Sequence, residues 1–112
     1  MSKFQECLDT YDKEFKKLKI KVDTKLLTAV AKGCGPSIYS NDASKVSSGD
    51  KAELARLKKN FLIKKLGLKD TPKLDEGISA VVQQLGKSNR NKYRAMFYYL
   101  LVKHFRKASV YK

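Results

Sequence analysis

Reactive side chains are scarce in this chain. It has one histidine, His104, and two cysteines, Cys7 and Cys34, in no ligand-like spacing with that histidine. A reducing, cytoplasmic compartment suits such cysteine usage, with a single bridge between the two left open. No serine or cysteine stands in a recognisable nucleophile context. Gly33-Cys-Gly-Pro36 has two glycines but neither the spacing nor the lysine of a phosphate loop. Asp75 and Glu76 are adjacent, so a helix sends them in diverging directions and they do not pair as acid and base. No enzyme is expected, and no metal or other cofactor.

Long apolar runs are missing as well. The longest, Ala95 to Val102, is less than half of the ~20 residues that span a bilayer. Met1 is followed by Ser2-Lys-Phe-Gln-Glu6, without the apolar core of a secretory signal. A cytoplasmic protein with no membrane partner is the expectation. Strand-like alternation between turn signals is also lacking, as are internal repeats and low-complexity tracts.

Acidic side chains run out along the chain. Residues 1–50 carry nine Lys/Arg against seven Asp/Glu, and residues 51–112 carry sixteen against four. The balances, +2 and +12, sum to the net charge of +14. After Glu76 there are eight basic side chains and no acidic one. Such a field attracts polyanions, or an acidic protein, and a solvated surface is its plain alternative.

What the chain does have is helical punctuation. With 112 residues and 42% apolar content it can build one domain, residues 1–112, without disulfide or metal support. Ser2 and Gln5 form a capping-box pattern, and Phe4, Leu8, Tyr11, Phe15 and Leu18 follow as a helical stripe. Asp9–Lys13 and Asp12–Lys16 are acid-first pairs one turn apart. Asp23 caps a second helix bearing Leu26, Leu27, Val30 and Ala31, stopped by Gly33. Residues 36–50 read as a loop with one or two short helical turns. Asp50 and Glu53 cap a third helix that runs to about Leu66 and ends at Gly67. Thr71-Pro72 opens a fourth, with the stripe Leu74, Ile78, Val81, Val82 and Leu85, ended by Gly86. Ser88 caps the last. The fold class is all-α, a compact array of about five helices around a central C-terminal helix.

That last helix carries Tyr93, Phe97, Leu100, Leu101 and His104 on one face, widened by Tyr98, Val102 and Phe105. Lys92, Tyr99, Lys103 and Arg106 fall near an opposite line that meets solvent. Core packing explains its aromatics better than a ligand box. Its start is crowded with Lys87, Arg90, Lys92 and Arg94, where free backbone amides already present positive charge. An anion held by Ser88, Arg90, Lys92 and Arg94 would resolve that conflict. Arg94 also points toward the apolar side, where an internal carboxylate such as Asp42 would satisfy it. Elsewhere the basic residues are spread around their helices. The turn at Leu66-Gly67-Leu68 does not lead into a DNA-reading helix, because Asp75 and Glu76 would face phosphate.

Asp42-Ala-Ser44, Lys64-Lys-Leu-Gly-Leu68, Leu74-Asp75 followed by Ile78, and Phe97-Tyr-Tyr-Leu-Leu101 occur in that order. Together they resemble the small bacterial family known as domain of unknown function 2853, over almost the whole chain. The resemblance implies a compact helical array and supplies no reaction or ligand. Two functions remain: a non-catalytic binding module for an anionic partner, nucleic acid or phosphate-bearing ligand, and a protein-interaction or self-associating domain. The latter would use apolar surface around Tyr99 or the central loop.

Overall fold

Each helix starts and stops where local chemistry allows it. The computed structural model describes residues 3–39, 45–46, 50–86 and 92–111. Helix α1 (Lys3–Lys17) buries Tyr11 and Phe15 from its stripe, and Lys16 pairs with Asp12 at 3.2 Å. Ser2, its expected cap, lies outside the described residues. Past its end, the amides of Lys19 and Ile20 donate to the carbonyls of Lys16 and Phe15 at 3.1 and 3.0 Å. This is the closing pattern normally built on a left-handed glycine, yet Lys19 holds that position with φ 59°.

Helix α2 (Thr24–Cys34) is capped by Asp23, whose carboxylate accepts from the Leu26 amide at 3.3 Å. It passes through Gly33, the expected stop, and ends at Gly35 with φ 66°. Gly33 serves a different purpose. A Cβ there would lie 3.2 Å from the Tyr111 ring, so its bare backbone makes room for the C-terminal tail. A 3-10 turn, Gly35–Tyr39, follows and buries Ile38. Residues 40–44 and 47–49 fall outside the described set.

Helix α3 (Lys51–Leu57) starts as expected: the Asp50 carboxylate accepts from the amides of Ala52 and Glu53 at 2.9 and 3.2 Å. It was expected to continue unchanged to about Leu66. Instead Lys58–Lys65 is wound as a π-helix, and the Leu66 amide donates to the Phe61 carbonyl five residues back at 2.9 Å. The apolar spacing explains the change. Leu57, Phe61, Leu62 and Leu66 are all buried. At about 100° per residue an α-helix would put Leu57 and Leu66 on opposite sides. At roughly 82° per residue, the winding of about 4.4 residues per turn that i→i+5 bonds impose, all four share one narrow arc.

Helix α4 (Pro72–Leu85) places proline in its first turn and buries all of Leu74, Ile78, Val81, Val82 and Leu85. Gly86, with φ 96°, ends it.

Helix α5 (Arg94–His104) is the centre of the molecule. It packs against α2 and α4 and buries Ala95, Met96, Phe97, Tyr99, Leu100, Leu101 and Val102. The expected solvent line is corrected here. Lys103 and Arg106 are exposed, but Tyr99 is 1% exposed and Lys92 4%. Tyr99 can be buried because its polar tip is satisfied: the hydroxyl accepts from the Asp23 amide at 2.8 Å. Its ring meets Phe15 edge-on at 5.4 Å. After α5, Arg106 takes φ 55° and a 3-10 turn, Ala108–Tyr111, folds back on α2.

Among the described residues there is no strand, only a bridge of Lys45 with Tyr93, beside which the Val46 amide donates to the Lys92 carbonyl. No helix among them is long and apolar enough to cross a membrane. The radius of gyration, 13.0 Å, matches the ~13 Å of a closely packed chain of this length.

Candidate anion-binding cleft

Arg94, the first residue of α5, resolves one of the two readings open to it. Its guanidinium lies 3.1 Å from the Glu53 carboxylate and donates to the Tyr98 hydroxyl, one turn along, at 2.9 Å. Glu53 therefore supplies an internal carboxylate to Arg94. Asp42, the partner expected from sequence, lies outside the described residues with Ser44. Glu53 reaches Arg94 because the Asp50 cap sets the first turn of α3. The pair is half-buried on both sides, and half-buried pairs of this kind fix geometry more than they add stability.

Beside this pair opens a cleft of about 380 Å³. One wall is the stacked pair Phe61 and Tyr98, with ring centroids 3.9 Å apart at 15°. Tyr111 from the tail also lines it, resting against Gly33 of α2, with Cys34 beside. The π segment adds Asn60 and Lys65, whose ammonium sits 5.2 Å from the Tyr111 centroid. The Arg94 guanidinium lies 5.7 Å from the Tyr98 centroid. Two cations thus lie over two aromatic faces, each attracted by the ring quadrupole.

The π winding assembles this group. Asn60 and Lys65 would be about 140° apart in an α-helix but only about 50° apart here. Burial also settles the charge state. It pushes the Cys34 thiol up to about 11, against a smaller lowering by the neighbouring Arg94, and the Tyr111 phenol up to about 12. The Tyr98 phenol is raised too, again chiefly by burial. At neutral pH, Cys34 is a protonated thiol without nucleophilic character. Among the described lining residues Lys65 and Arg94 are the cations, and Arg94 already has the Glu53 carboxylate as its counter-ion just outside the lining. That arrangement can hold an anionic group and stack a flat or apolar one.

Of the four residues expected to bind an anion, two are described. Arg94 lines the cleft and Lys92 does not. Burial lowers the Lys92 ammonium below its ordinary range. Ser88 and Arg90 lie outside the described residues. Helix α5 opens at Arg94 with Tyr93 before it and no side-chain cap, so Ser88 is not the residue that begins it. Sequence reasoning missed Asn60, Phe61, Lys65 and Tyr111. The buried spacing 57, 61, 62, 66 was the available signal.

Fold and cleft together define a small all-α domain with a cationic, aromatic opening beside its central helix. The family described as "Protein of unknown function (DUF2853)" matches residues 10–109 of the chain. The chain belongs to this family. No curated protein matches it.

Proposed function

We propose that the chain is a non-catalytic binding module for an anionic ligand, taken up between Lys65 and Arg94. The observation that carries this reading is the π segment. Uncommon windings of this kind concentrate at functional sites. Here one gathers Asn60, Phe61 and Lys65 onto an opening also lined by Arg94, whose guanidinium keeps Glu53 as its counter-ion, so Lys65 supplies the added positive charge. The excess of basic side chains after residue 50 would draw anions toward it.

The test is an amide-resolved NMR titration of the full chain with inorganic phosphate. Saturable shifts centred on Asn60, Lys65, Arg94 and Tyr111 are expected, and Lys65→Met should weaken them roughly tenfold, the worth of one charged hydrogen bond. Shifts that follow exposed lysines everywhere and never saturate would reject the cleft. A duplex oligonucleotide separates the polyanion version. Neutralising about four phosphates would give a slope near −3.6 of log affinity on log salt.

A further inference from the structure

We propose that the natural ligand is an amphiphilic anion with a single alkyl chain, for which the C-terminal turn is a displaceable plug. This rests on the anion-binding reading of the cleft and extends it. A second cavity, about 290 Å³, adjoins the first and is lined by Leu26, Ala29 and Ala108 with Asp23 and Lys25. Tyr111 lines both cavities and is the residue they share. Leu26, Ala29 and Gly33 recur at helical spacing along α2, so one helix floor runs beneath the Tyr111 ring from one cavity to the other.

The plug is only partly buried: Ala108 and Tyr111 pack against the core from half-buried positions, and Val110 is 37% exposed. The Val110 amide donates to the Lys107 carbonyl at 3.0 Å, and Tyr111 leans on the Gly33 backbone and under the Lys65 ammonium. Moving Tyr111 aside would join the two cavities into one trough that begins at Lys65 and the Glu53-paired Arg94 and runs over Ala29 and Leu26. A carboxylate head between Lys65 and Arg94 would take over the Lys65 contact that the ring gives up. Its chain would follow Gly33 and Ala29 toward Leu26. A compact hydrophilic anion would use the first cavity and leave the second unexplained.

The experiment titrates the full-length chain with hexanoate, octanoate, decanoate and dodecanoate below their aggregation concentrations, with inorganic phosphate alongside. Affinity should rise about fourfold per added methylene until the trough is full, and shifts should spread from Lys65 to Ala29 and Leu26. Tyr111→Ala should tighten the long chains relative to phosphate, so that the ratio of decanoate to phosphate affinity rises. Ala29→Phe, which fills the second cavity away from the cations, should abolish the length dependence and leave phosphate unchanged. Equal affinity for all chain lengths overturns the alkyl proposal while the anion site stands. Length dependence that survives Ala29→Phe overturns it too, since the chain would then lie elsewhere. Binding of neither phosphate nor any carboxylate removes both readings.

Discussion

Helix α5 meets its neighbours in two very different ways. Where the end of α5 crosses α4 at Gly77 the fit leaves no space. A Cβ at Gly77 would come within 2.7 Å of Cε2 of Phe105 and 3.0 Å of the His104 ring, so Gly77 is there to admit the aromatic ring. Toward the π segment and the tail, the same helix leaves a cleft of about 380 Å³. The Gly77 contact is filled to the limit, while the other flank stays open beside the π segment and the Arg94–Glu53 pair. Where a small protein keeps an opening with the means to close it nearby, the opening is the place to look for binding.

The largest effect should come from the filled side. Leu101→Ala, at a fully buried position, should cost about 2–5 kcal/mol in urea unfolding. A cost under 1 kcal/mol, against that same ~2–5 kcal/mol for a buried leucine, would mean α5 is not central. Gly77→Ala comes next. Alanine is the better helix former by about 1 kcal/mol. The clash with Phe105 should nonetheless make the variant less stable by about 1–3 kcal/mol. A stabilised Gly77→Ala would erase the contrast between the two flanks. On the open side, Asn60→Leu should change stability by no more than about 0.5 kcal/mol, as for a surface site.

Smaller effects sharpen the picture. Tyr99→Phe removes the acceptor of the Asp23 amide and should cost about 1 kcal/mol in the same assay. Lys19→Gly should stabilise by up to about 1 kcal/mol, since glycine takes the left-handed conformation freely. Cys34 gives a pH signature. Its thiol is raised from 9.0 to about 11, so the folded form keeps the proton while the unfolded chain releases it. Its stabilising contribution is complete below pH 9.0 and fades as pH climbs through about 11. Wild type should lose stability across that window relative to Cys34→Ala, and Cys34 should react slowly with iodoacetamide at pH 8.

Much of the fold was legible because it is written in local signals. Asp23 and Asp50 cap where their spacing predicts, Pro72 opens α4, and Gly67 and Gly86 close their helices. Two further stops were hidden because Lys19 and Arg106 take left-handed positions that normally advertise themselves as glycine. Tyr99 was misplaced for a different reason. When a helix is buried on every side, periodicity no longer distinguishes inside from outside, and only a tertiary partner, here the Asp23 amide, decides. The cleft was the least visible part. Arg94 was recognised as an inward cation, but its partner Glu53 lies 41 residues away, and Lys65 and Tyr111 meet only through the folded tail.

The π segment also bears on how this opening could arise or vanish. Eight residues wound at about 82° rather than about 100° fall behind an α-helix by about 144°, nearly one and a half residues' rotation. Removing a single amino acid between Lys58 and Lys65 would thus let the backbone revert to ordinary pitch with its ends turned by only about 45°. Such a shortened chain should fold while Asn60 and Lys65 swing apart, making the site something a one-codon change can create or erase.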